Sequence, residues 1–306
     1  MDATATTKTA RDIVAARPTA GLLARRRNNA ALRILYFAIA LLGAAFMLLP
    51  VFWMLSTSLK PQGQVLSIPP VLWPTEPYWK SFNEAVTSPS LPTGVLNAIK
   101  NSLLVTLLPV LGDVASASLV AFAFARLRAP GANLLFFIVI GTIMIPFQVT
   151  VIPQFILFNQ LGWVDSFLPL IVPPFFGNAF NIFLLRQFFR GVPRELDEAA
   201  QLDGLGYFGI FLRIMLPLSK PALAAVAVFS FVYHWNDFFY PLIYINSPDK
   251  YPVPYLIEQF ANGAYGFAEW NHLFALGLIS AVPSLALFFV AQRYFIQGIV
   301  VSGVNG

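Results

Sequence analysis

The chain has 306 residues, of which 58% are hydrophobic and only 11% are charged, with a formal net charge of +5. Soluble domains carry about 25% charged residues, and the mean hydropathy here is +0.70. The composition therefore excludes an ordinary soluble protein and favours a chain embedded in a lipid bilayer. The absence of cysteine excludes disulfides and thiolate metal sites, and the two histidines, His234 and His272, are too few for a metal cluster.

The first 30 residues are polar and basic, and we expect them to form a cytoplasmic N-terminal tail that is partly disordered. The apolar run that follows, at residues 32–55, is long enough to span a bilayer and too long for the core of a signal peptide. Basic residues beside a span are typical of its cytoplasmic side. We therefore favour that interpretation over a nucleic-acid-binding patch and expect no nucleic-acid partner.

Hydropathy divides the rest of the chain into apolar runs and polar connections. The apolar runs predict six transmembrane helices, at residues 32–55, 97–125, 132–153, 167–189, 221–244 and 272–294. The connections expected outside are residues 56–96, 155–166 and 245–271. The predicted fold is an all-α integral membrane domain over residues 31–295, with a central cytoplasmic loop at 190–219 and a cytoplasmic C-terminal tail at 296–306.

The distribution of positive charge predicts the orientation of these spans. Of the 19 Lys and Arg residues, only Lys60, Lys80, Lys100 and Lys250 are assigned to the outside, and Lys100 lies at the outer end of the second predicted span. Because positive charge is retained on the cytoplasmic side of a membrane, both termini and the central loop are expected in the cytoplasm.

Two features of the predicted spans are compatible with a pathway through them. Prolines occur in every predicted span and break backbone hydrogen bonds. Broken helices often line a substrate path, although proline is also common in membrane helices in general. Asp113 lies deep in the second predicted span. We expect it either to make a structural hydrogen bond between helices or to line the pathway, and the sequence indicates no basic partner for it at that depth.

The central loop carries signals for a short helix at residues 193–204. Pro193 suits a first helical position, and Glu195, Asp197 and Glu198 place negative charge near the helix N-terminus, where the dipole favours it. Gly204 can take the left-handed conformation that ends a helix. Taken alone, these signals predict an amphipathic helix in a loop between two spans.

One face of this helix suits contact with another protein. Four residues share that face by their spacing of three and four, namely Leu196, Ala199, Ala200 and Asp203. The two alanines should make the face shallow enough for a close approach.

The order of residues in this loop resembles the EAA loop of bacterial ABC-importer permeases. Glu198-Ala199-Ala200 is followed after three residues by Gly204 and after nine more by Ile214-Met215-Leu216-Pro217. The family pattern is E-A-A-x3-G-x9-I-x-L-P, and every fixed position matches. The resemblance implies that the helix is a coupling helix seated in a cleft of a cytoplasmic ATPase subunit. Glu198, Ala199, Ala200, Asp203, Gly204, Leu216 and Pro217 are then its coupling residues.

A second polar cluster, His234-Trp235-Asn236-Asp237, falls in the fifth predicted span. Aromatic faces and Asn or Asp side chains suit sugar hydroxyls, but the cluster could equally tie this span to its neighbours. Its continuation, Phe238-Phe239-Tyr240-Pro241-Leu242, is similar to the corresponding segment of carbohydrate-type ABC permeases. Trp235, Asn236 and Asp237, together with Asp113, are therefore candidate residues of the substrate pathway.

The end of the chain is similar to the tail of the maltose-transporter type of permease. The similarity covers Gln292-Arg293-Tyr294-Phe295 and Gly298, and then Gly303, Val304, Asn305 and Gly306. In that family the tail reaches the interface of the ATPase dimer. The family usually has Lys before the last Gly, whereas this chain has Asn305, which leaves the detailed contacts of the tail open.

The resemblance covers residues 30–306 and implies the type I ABC-importer permease fold in a bacterial inner membrane. It implies a second permease subunit, two ATPase subunits and an external solute-binding protein as partners. ATP and Mg²⁺ are expected in the ATPase, and no cofactor is expected on this chain, which carries no Walker A pattern. The implied solute is a sugar or a related polyol, with glycerol phosphate as an alternative.

Two other classes of protein are less consistent with the sequence. A secondary transporter driven by an ion gradient usually shows internal repeats or several intramembrane carboxylates, and we find no clear repeat and only Asp113 deep in a span. A membrane enzyme would need a cluster of catalytic polar residues at one face of the membrane, and the polar residues here are scattered.

Overall fold

The computed structural model describes the backbone of residues 20–89, 91–263 and 269–302, and the side chains of residues 32–89, 91–263 and 269–292. All regular secondary structure within these ranges is helical. The chain divides into two compact units, with the boundary between Met54 and Leu55. The predicted N-terminal tail, apart from its last residues, and the predicted tail residues Gly303, Val304, Asn305 and Gly306 lie outside the described residues.

The described residues form fifteen α-helices, joined by short 3₁₀ and π segments. The α-helices are α1 (Ala20–Ser58), α2 (Gln62–Val65), α3 (Lys80–Thr87), α4 (Val95–Arg126), α5 (Ala132–Gly141), α6 (Phe147–Gln160), α7 (Leu168–Ile171), α8 (Ala179–Gly191), α9 (Glu195–Leu202), α10 (Tyr207–Ile210), α11 (Leu216–Leu218), α12 (Lys220–Trp235), α13 (Phe239–Tyr244), α14 (Val253–Ala261) and α15 (Trp270–Ser302). The intervening segments are Thr142–Met144, Pro173–Phe176 and Pro248–Lys250, which are 3₁₀ helices, and Phe211–Met215, which is a π-helix.

Four segments are long and apolar enough to cross a bilayer on their own. They are Leu32–Ser58, Val95–Arg126, Leu168–Gly191 and Trp270–Gln292. Two further pairs of helices pass the same test together but are bent, Ala132–Met144 with Phe147–Gln160 and Tyr207–Leu218 with Lys220–Trp235. The expected number of six spans is reached when each bent pair is taken as one span.

The third predicted span, at residues 132–153, is wrong as a continuous helix. The chain turns by 97° between Met144 and Phe147. Pro146 lacks an N–H and disfavours the helical conformation of the residue before it, and Ile145 is indeed extended, with ψ 115°. After the bend, α6 continues to Gln160, into the segment that we expected to be an outside connection.

The fifth predicted span, at residues 221–244, is also interrupted. Helix α12 ends at Trp235, and α13 is a separate short helix. Oδ1 of Asp237 accepts hydrogen bonds from the backbone N–H groups of Phe239 and Tyr240, at 3.1 and 3.2 Å. These bonds satisfy the free N–H groups at the start of α13 and stabilise the break.

The fourth span is broken in its middle by Pro173, Pro174 and Gly177. The φ angle of Gly177 is +100°, which favours glycine. Oδ1 of Asn178 then accepts hydrogen bonds from the N–H groups of Phe180 and Asn181, so Asn178 is the N-cap of α8. Polar residues that satisfy backbone groups thus accompany the breaks of the fourth and fifth spans.

Helix α4 is the central element of the second unit and packs against α8, α12 and the segment Pro173–Phe176. Two apolar clusters lie along it. The first contains Val95, Ala98 and Val105 from its N-terminal half, and the second contains residues of its C-terminal half, from Ala117 to Ala125. Asp113 lies in the turn of α4 between the two clusters.

The N-terminal end of α4 is joined to two loops by polar contacts. The side-chain amides of Asn97 and Asn101 donate to the carbonyl of Asp249. Nearby, Asp165 accepts hydrogen bonds from the backbone N–H groups of Asn246 and Ser247, at 3.0 and 2.9 Å, and from the Ser247 hydroxyl. Nζ of Lys250 lies 3.1 Å from the same carboxylate.

The hydrogen bond from the Ser247 hydroxyl is the main reason why the pKa of the Asp165 carboxyl lies well below its usual range, although partial desolvation opposes it. A depressed pKa in the folded state means that the ionised carboxylate stabilises the fold at neutral pH. This stabilisation is lost as the pH falls below the usual carboxyl range towards the folded-state pKa.

We expect Asp165→Ala to lower the melting temperature of the purified protein at pH 7 more than Asp165→Asn does. Asparagine tolerates the φ angle of +59° found at this position but removes the charge. The difference between wild type and Asp165→Asn should shrink when the pH is lowered from 7 to 3. Melting curves in detergent between pH 7 and pH 3 measure this difference in melting temperature. A difference that does not change with pH would contradict the stabilising role of the ionised Asp165 carboxylate.

We expect Gly112→Ala to destabilise the packing of α4 on the segment Pro173–Phe176. A Cβ atom at Gly112 would lie 2.6 Å from the ring of Phe175, so this ring must move. Forcing an extra carbon into such a contact costs about 1–3 kcal/mol and should lower the melting temperature. Gly141→Ala is the matched control, because a Cβ there meets nothing within 4 Å; equal effects of both changes would refute the prediction.

Candidate functional site

Helix α9, in the central loop, is the candidate coupling helix. It begins at Glu195 with Arg194 as its N-cap residue, and its first turn contains Glu195, Asp197 and Glu198. The acidic N-terminus was predicted from the helix dipole. Pro193 precedes the N-cap residue, so its expected position as the first helical residue is wrong by two.

Gly204 ends the helix in the way its position predicts. Its φ angle is +85°. Its N–H donates to the carbonyl of Gln201, and the N–H of Leu205 donates to the carbonyl of Ala200, at 3.0 and 2.9 Å. These two bonds form a Schellman motif. A Cβ at Gly204 would meet nothing within 4 Å, so the backbone conformation, rather than space, favours glycine here.

The four residues of the predicted contact face of α9 do not all face outwards. Leu196, Ala199 and Asp203 are exposed, as a partner surface requires, and so is Glu198. Ala200, however, is only 4% exposed and belongs to the second apolar cluster. The two alanines therefore face different ways, one outwards and one into the chain's own core.

A buried ion pair joins α9 to the end of α4, and we did not predict it. Nε of Arg126 lies 3.0 Å from Oδ2 of Asp197, with side chains that are 3% and 12% exposed. The Nε–H is not directed for a hydrogen bond, so the contact is electrostatic. A second nitrogen of Arg126 donates to the carbonyl of Val192 at 2.7 Å. The sequence placed Arg126 and Asp197 at a turn and a helix start, with no sign that they meet.

After Gly204 the chain turns back into the helical bundle. Ile210, Phe211 and Met215 are buried in the second apolar cluster. Leu216 packs against this cluster, whereas Pro217 is exposed. Pro217 has no N–H for the carbonyl of the preceding turn, and the helix before it is widened to the π form. Residues 207–218, which were predicted as part of the loop, are thus helical and packed against the second apolar cluster.

The second candidate site is a cavity of about 220 Å³ beside the middle of α4. Eight polar residues line it, and the described lining is otherwise formed by apolar residues and Gly177. The polar residues are Asp113, Gln154, Asn178, Tyr233, His234, Asp237, Tyr240 and Tyr244. They come from α4, α6, α12, α13, the N-cap of α8 and the turn before α13.

Asp113 has two partners on α12. The hydroxyl of Ser230 donates to Oδ2 of Asp113 at 2.7 Å, and Nε2 of His234 lies 3.2 Å from the same oxygen. The expectation that no basic residue lies at this depth is therefore wrong, because His234 is the partner. Asp113 both makes the structural contact and lines the cavity, so the two alternatives from the sequence are compatible.

The three residues of the Trp-Asn-Asp cluster have different environments. Trp235 is 1% exposed, stacks on Phe231 and donates from Nε1 to the carbonyl of Ser280. It holds α12 against α15 and does not line the cavity. Asn236 is exposed and caps its own helix by donating to the carbonyl of Val232. Of the three, only Asp237 reaches the cavity.

Five of the polar residues that line the cavity were not predicted from the sequence: Gln154, Asn178, Tyr233, Tyr240 and Tyr244. Two of them had a usable signal, since Gln154 is a polar residue in an apolar run and Asn178 follows the Pro-Pro and Gly break. Tyr240 lies in the segment that resembles carbohydrate-type permeases. Tyr233 and Tyr244 had no signal, because tyrosine is common in membrane proteins wherever a span meets the interface.

Comparisons with known proteins identify a matching family and several similar permeases. Residues 115–301 match the family described as the binding-protein-dependent transport system inner membrane component. The osmoprotective compounds uptake permease protein GgtD of Synechocystis sp. is 34% identical over 87% of this chain and 91% of its own length. The arabinooligosaccharides transport system permease protein AraQ of Halalkalibacterium halodurans is 34% identical over 67% of this chain and 73% of its own.

A third relative, the sn-glycerol-3-phosphate transport system permease protein UgpE of Yersinia enterocolitica, is 29% identical over 89% of this chain and 98% of its own. Among solved structures, a bacterial ABC transporter involved in the import of the acidic polysaccharide alginate shares the fold, with a TM-score of 0.75 and 23% identity over 88% of this chain and 98% of that chain.

All of these relatives are transport permeases rather than enzymes, and their match extends over most of the chain. The six spans, the EAA loop with its Schellman-ended helix and the family match agree with one another. The chain therefore belongs to the binding-protein-dependent transport system inner membrane components, the permease subunits of ABC importers.

Proposed function

We propose that this permease subunit translocates a sugar or a related polyol that an external solute-binding protein delivers. The observation that carries the proposal is the polar, hydroxyl-rich cavity beside α4. The relatives support it, since one is named for arabinooligosaccharides and another for osmoprotective compounds. Glycerol phosphate is the second candidate, because UgpE is named for it. A transporter driven by an ion gradient does not fit a family of binding-protein-dependent systems.

The exposed face of α9 is the proposed contact with the ATPase subunit. Glu198, Ala199 and Asp203 would lie in the cleft of the ATPase. Ala200 and the buried residues after Gly204 hold the helix on the bundle. Since Arg126 and Asp197 tie α9 to α4, movement of the ATPase on binding and hydrolysing ATP would be passed to α4. The assembly then alternates between two states that ATP and the binding protein bias.

The same proposal includes the other subunits of the importer and the orientation of this chain in the membrane. A second, different permease subunit completes the pathway, and two ATPase subunits hold ATP and Mg²⁺. Both termini lie in the cytoplasm, and Gly303, Val304, Asn305 and Gly306 reach the ATPase dimer interface. The distribution of Lys and Arg along the chain supports this orientation.

We expect Gly204→Asp to abolish uptake and to weaken co-purification of the ATPase. The substitution strains a backbone with φ +85° and adds a negative charge at the negative end of the helix dipole. ATP-dependent uptake and the yield of ATPase bound to the tagged permease measure both effects. Gly206→Ala is the control, because it lies in open space with an ordinary φ of −75°. Normal uptake by Gly204→Asp would refute the coupling role of α9.

We expect Arg126→Met and Asp197→Leu each to reduce uptake and stability, and the double variant to recover much of the stability. Removing one member of a buried pair leaves an uncompensated charge at a cost of about 3–5 kcal/mol, whereas replacing both with apolar residues is often tolerated. Melting temperatures of the four forms give the coupling energy between the two positions. Arg190→Met removes an exposed arginine and serves as the control. Additive effects of the two changes would contradict the pairing.

The proposed solute class is tested by uptake of labelled trehalose, sucrose and glycerol 3-phosphate. Cells lacking this permease are compared with cells in which it is restored. We expect uptake of at least one neutral sugar to be lost and then recovered. Recovery of glycerol 3-phosphate uptake alone would favour the second candidate.

A further inference from the structure

Interruptions of two spans lie at the cavity beside α4, and a helix that follows a third interruption also lines it. The fourth span is broken at Pro173, Pro174 and Gly177, which line it. Helix α12 ends where Tyr233, His234 and Asp237 line it, and α6, which follows the break at Pro146, contributes Gln154. In membrane transporters, irregular backbone occurs where it is covered by protein or lines a water-filled path, and interrupted helices mark solute sites.

The lining of the cavity has unused hydrogen-bonding capacity. Tyr244 is fully buried, yet its hydroxyl finds no partner among the described residues. Buried polar groups in proteins are nearly always hydrogen-bonded. Together with the amides of Gln154 and Asn178, this hydroxyl offers donors and acceptors to a ligand that has both, as a sugar hydroxyl does.

The cavity contains no fixed positive charge. Among the described residues that line it there is no Lys or Arg, and the acidic residues are Asp113 and Asp237. His234 is the one lining residue that can become positive, and its Nε2 contacts Asp113. Neither carboxyl group can balance a negative charge on a ligand, and an ionised carboxylate repels it. A buried phosphate or carboxylate without a cation is strongly disfavoured.

The size of the cavity limits what it can hold. Its volume of about 220 Å³ is below the range of roughly 300–1,000 Å³ that is usual for pockets that enclose drug-sized ligands. The part of the pathway that this chain lines therefore fits a single sugar ring better than a whole oligosaccharide. The faces of Tyr233 and Tyr240 provide apolar surface beside the polar groups, which suits the mixed surface of a sugar ring.

We propose that this cavity holds one ring of an uncharged polyhydroxyl solute during its passage and that it rejects phosphorylated and carboxylated sugars. This inference rests on the proposed function and narrows it, because it separates the solute of this chain from glycerol phosphate. Asp113, His234 and Asp237 are then the residues that determine the specificity for charge.

The natural absence of cysteine from the chain allows a direct test. In the complete importer in membrane vesicles, Gln154→Cys places one thiol of this subunit in the cavity. Gln62→Cys places one at an exposed glutamine elsewhere. Each thiol is treated with a cationic, a neutral or an anionic methanethiosulfonate of similar size. Mass spectrometry of this subunit gives the labelling rates, which are divided by the rates for a free thiol.

We expect the thiol at Gln154→Cys to react about tenfold faster with the cationic than with the anionic reagent, as for a cleft of one charge sign. The thiol at Gln62→Cys should show no such preference, and Asp237→Asn should reduce the preference in the cavity. Complete labelling of Gln154→Cys with the neutral reagent should abolish sugar uptake, because the attached group occupies the cavity.

A cavity thiol that no reagent reaches, that reacts as fast with the anionic reagent, or whose labelling leaves uptake unchanged would overturn the inference. None of these outcomes affects the proposed function if ATP-dependent uptake of trehalose or sucrose continues in the same vesicles. If instead the proposed function were wrong, the unmodified importer would take up no neutral sugar. The charge preference of the cavity thiol would still be measurable in that case.

Discussion

The structure depends on one constraint, that polar groups on the buried face of α4 lie in an apolar surrounding and need partners. Four of these residues find partners on other elements. The hydroxyl of Ser102 accepts from the N–H of Val253, Asp113 is bonded by α12, and the hydroxyl of Ser116 donates to the carbonyl of Pro174. Arg126 binds Val192 and Asp197. Unpaired, these groups would each cost free energy, so α4 specifies where the other helices pack.

The same constraint explains why the spans break where they do. A proline or glycine in a membrane helix leaves backbone groups without partners, and these must be satisfied by protein. Asn178 and Asp237 supply acceptors for the N–H groups that follow two of the breaks. Both side chains also line the cavity. The residues that stabilise the broken backbone therefore also make the cavity polar. A polar residue that follows a helix break thus contributes both to the fold and to the candidate site.

Features that depend on neighbouring residues could be predicted from the sequence, whereas contacts between distant parts of the chain could not. The left-handed conformation at Gly204 and the acidic start of α9 follow from residues a few positions apart, and both were correct. Which alanine of the Glu-Ala-Ala motif is buried depends on how α9 docks on α4, and the periodicity of one helix cannot decide this. The partner of Asp113 lies 121 residues away, beyond any local pattern.

Hydropathy found the six apolar regions but not their shape. An average over some 20 residues responds to composition and is the same for a straight and a bent segment. It therefore gave continuous third and fifth spans, where the chain turns by 97° at Pro146 and α12 ends at Trp235. Pro146 was visible in the sequence, but whether a proline kinks a span or ends it depends on which neighbouring groups can satisfy the freed backbone. No proline stands at the end of α12.

Two stiff helices connect the cavity with the proposed ATPase contact. On α4, Asp113 and Arg126 are separated by about 20 Å, at 1.5 Å per residue, and they bind α12 and α9. Helix α12 starts next to the buried segment that follows Gly204 and ends at His234 and Trp235. A shift of α9 relative to the bundle thus acts on the C-terminal end of α4 and on the N-terminal end of α12. Both helices also line the cavity, α4 with its middle and α12 with its C-terminal end. Packed helices shift between discrete arrangements rather than deforming continuously, so the Asp113–His234 contact is where we expect the two states of the transporter to differ within this chain.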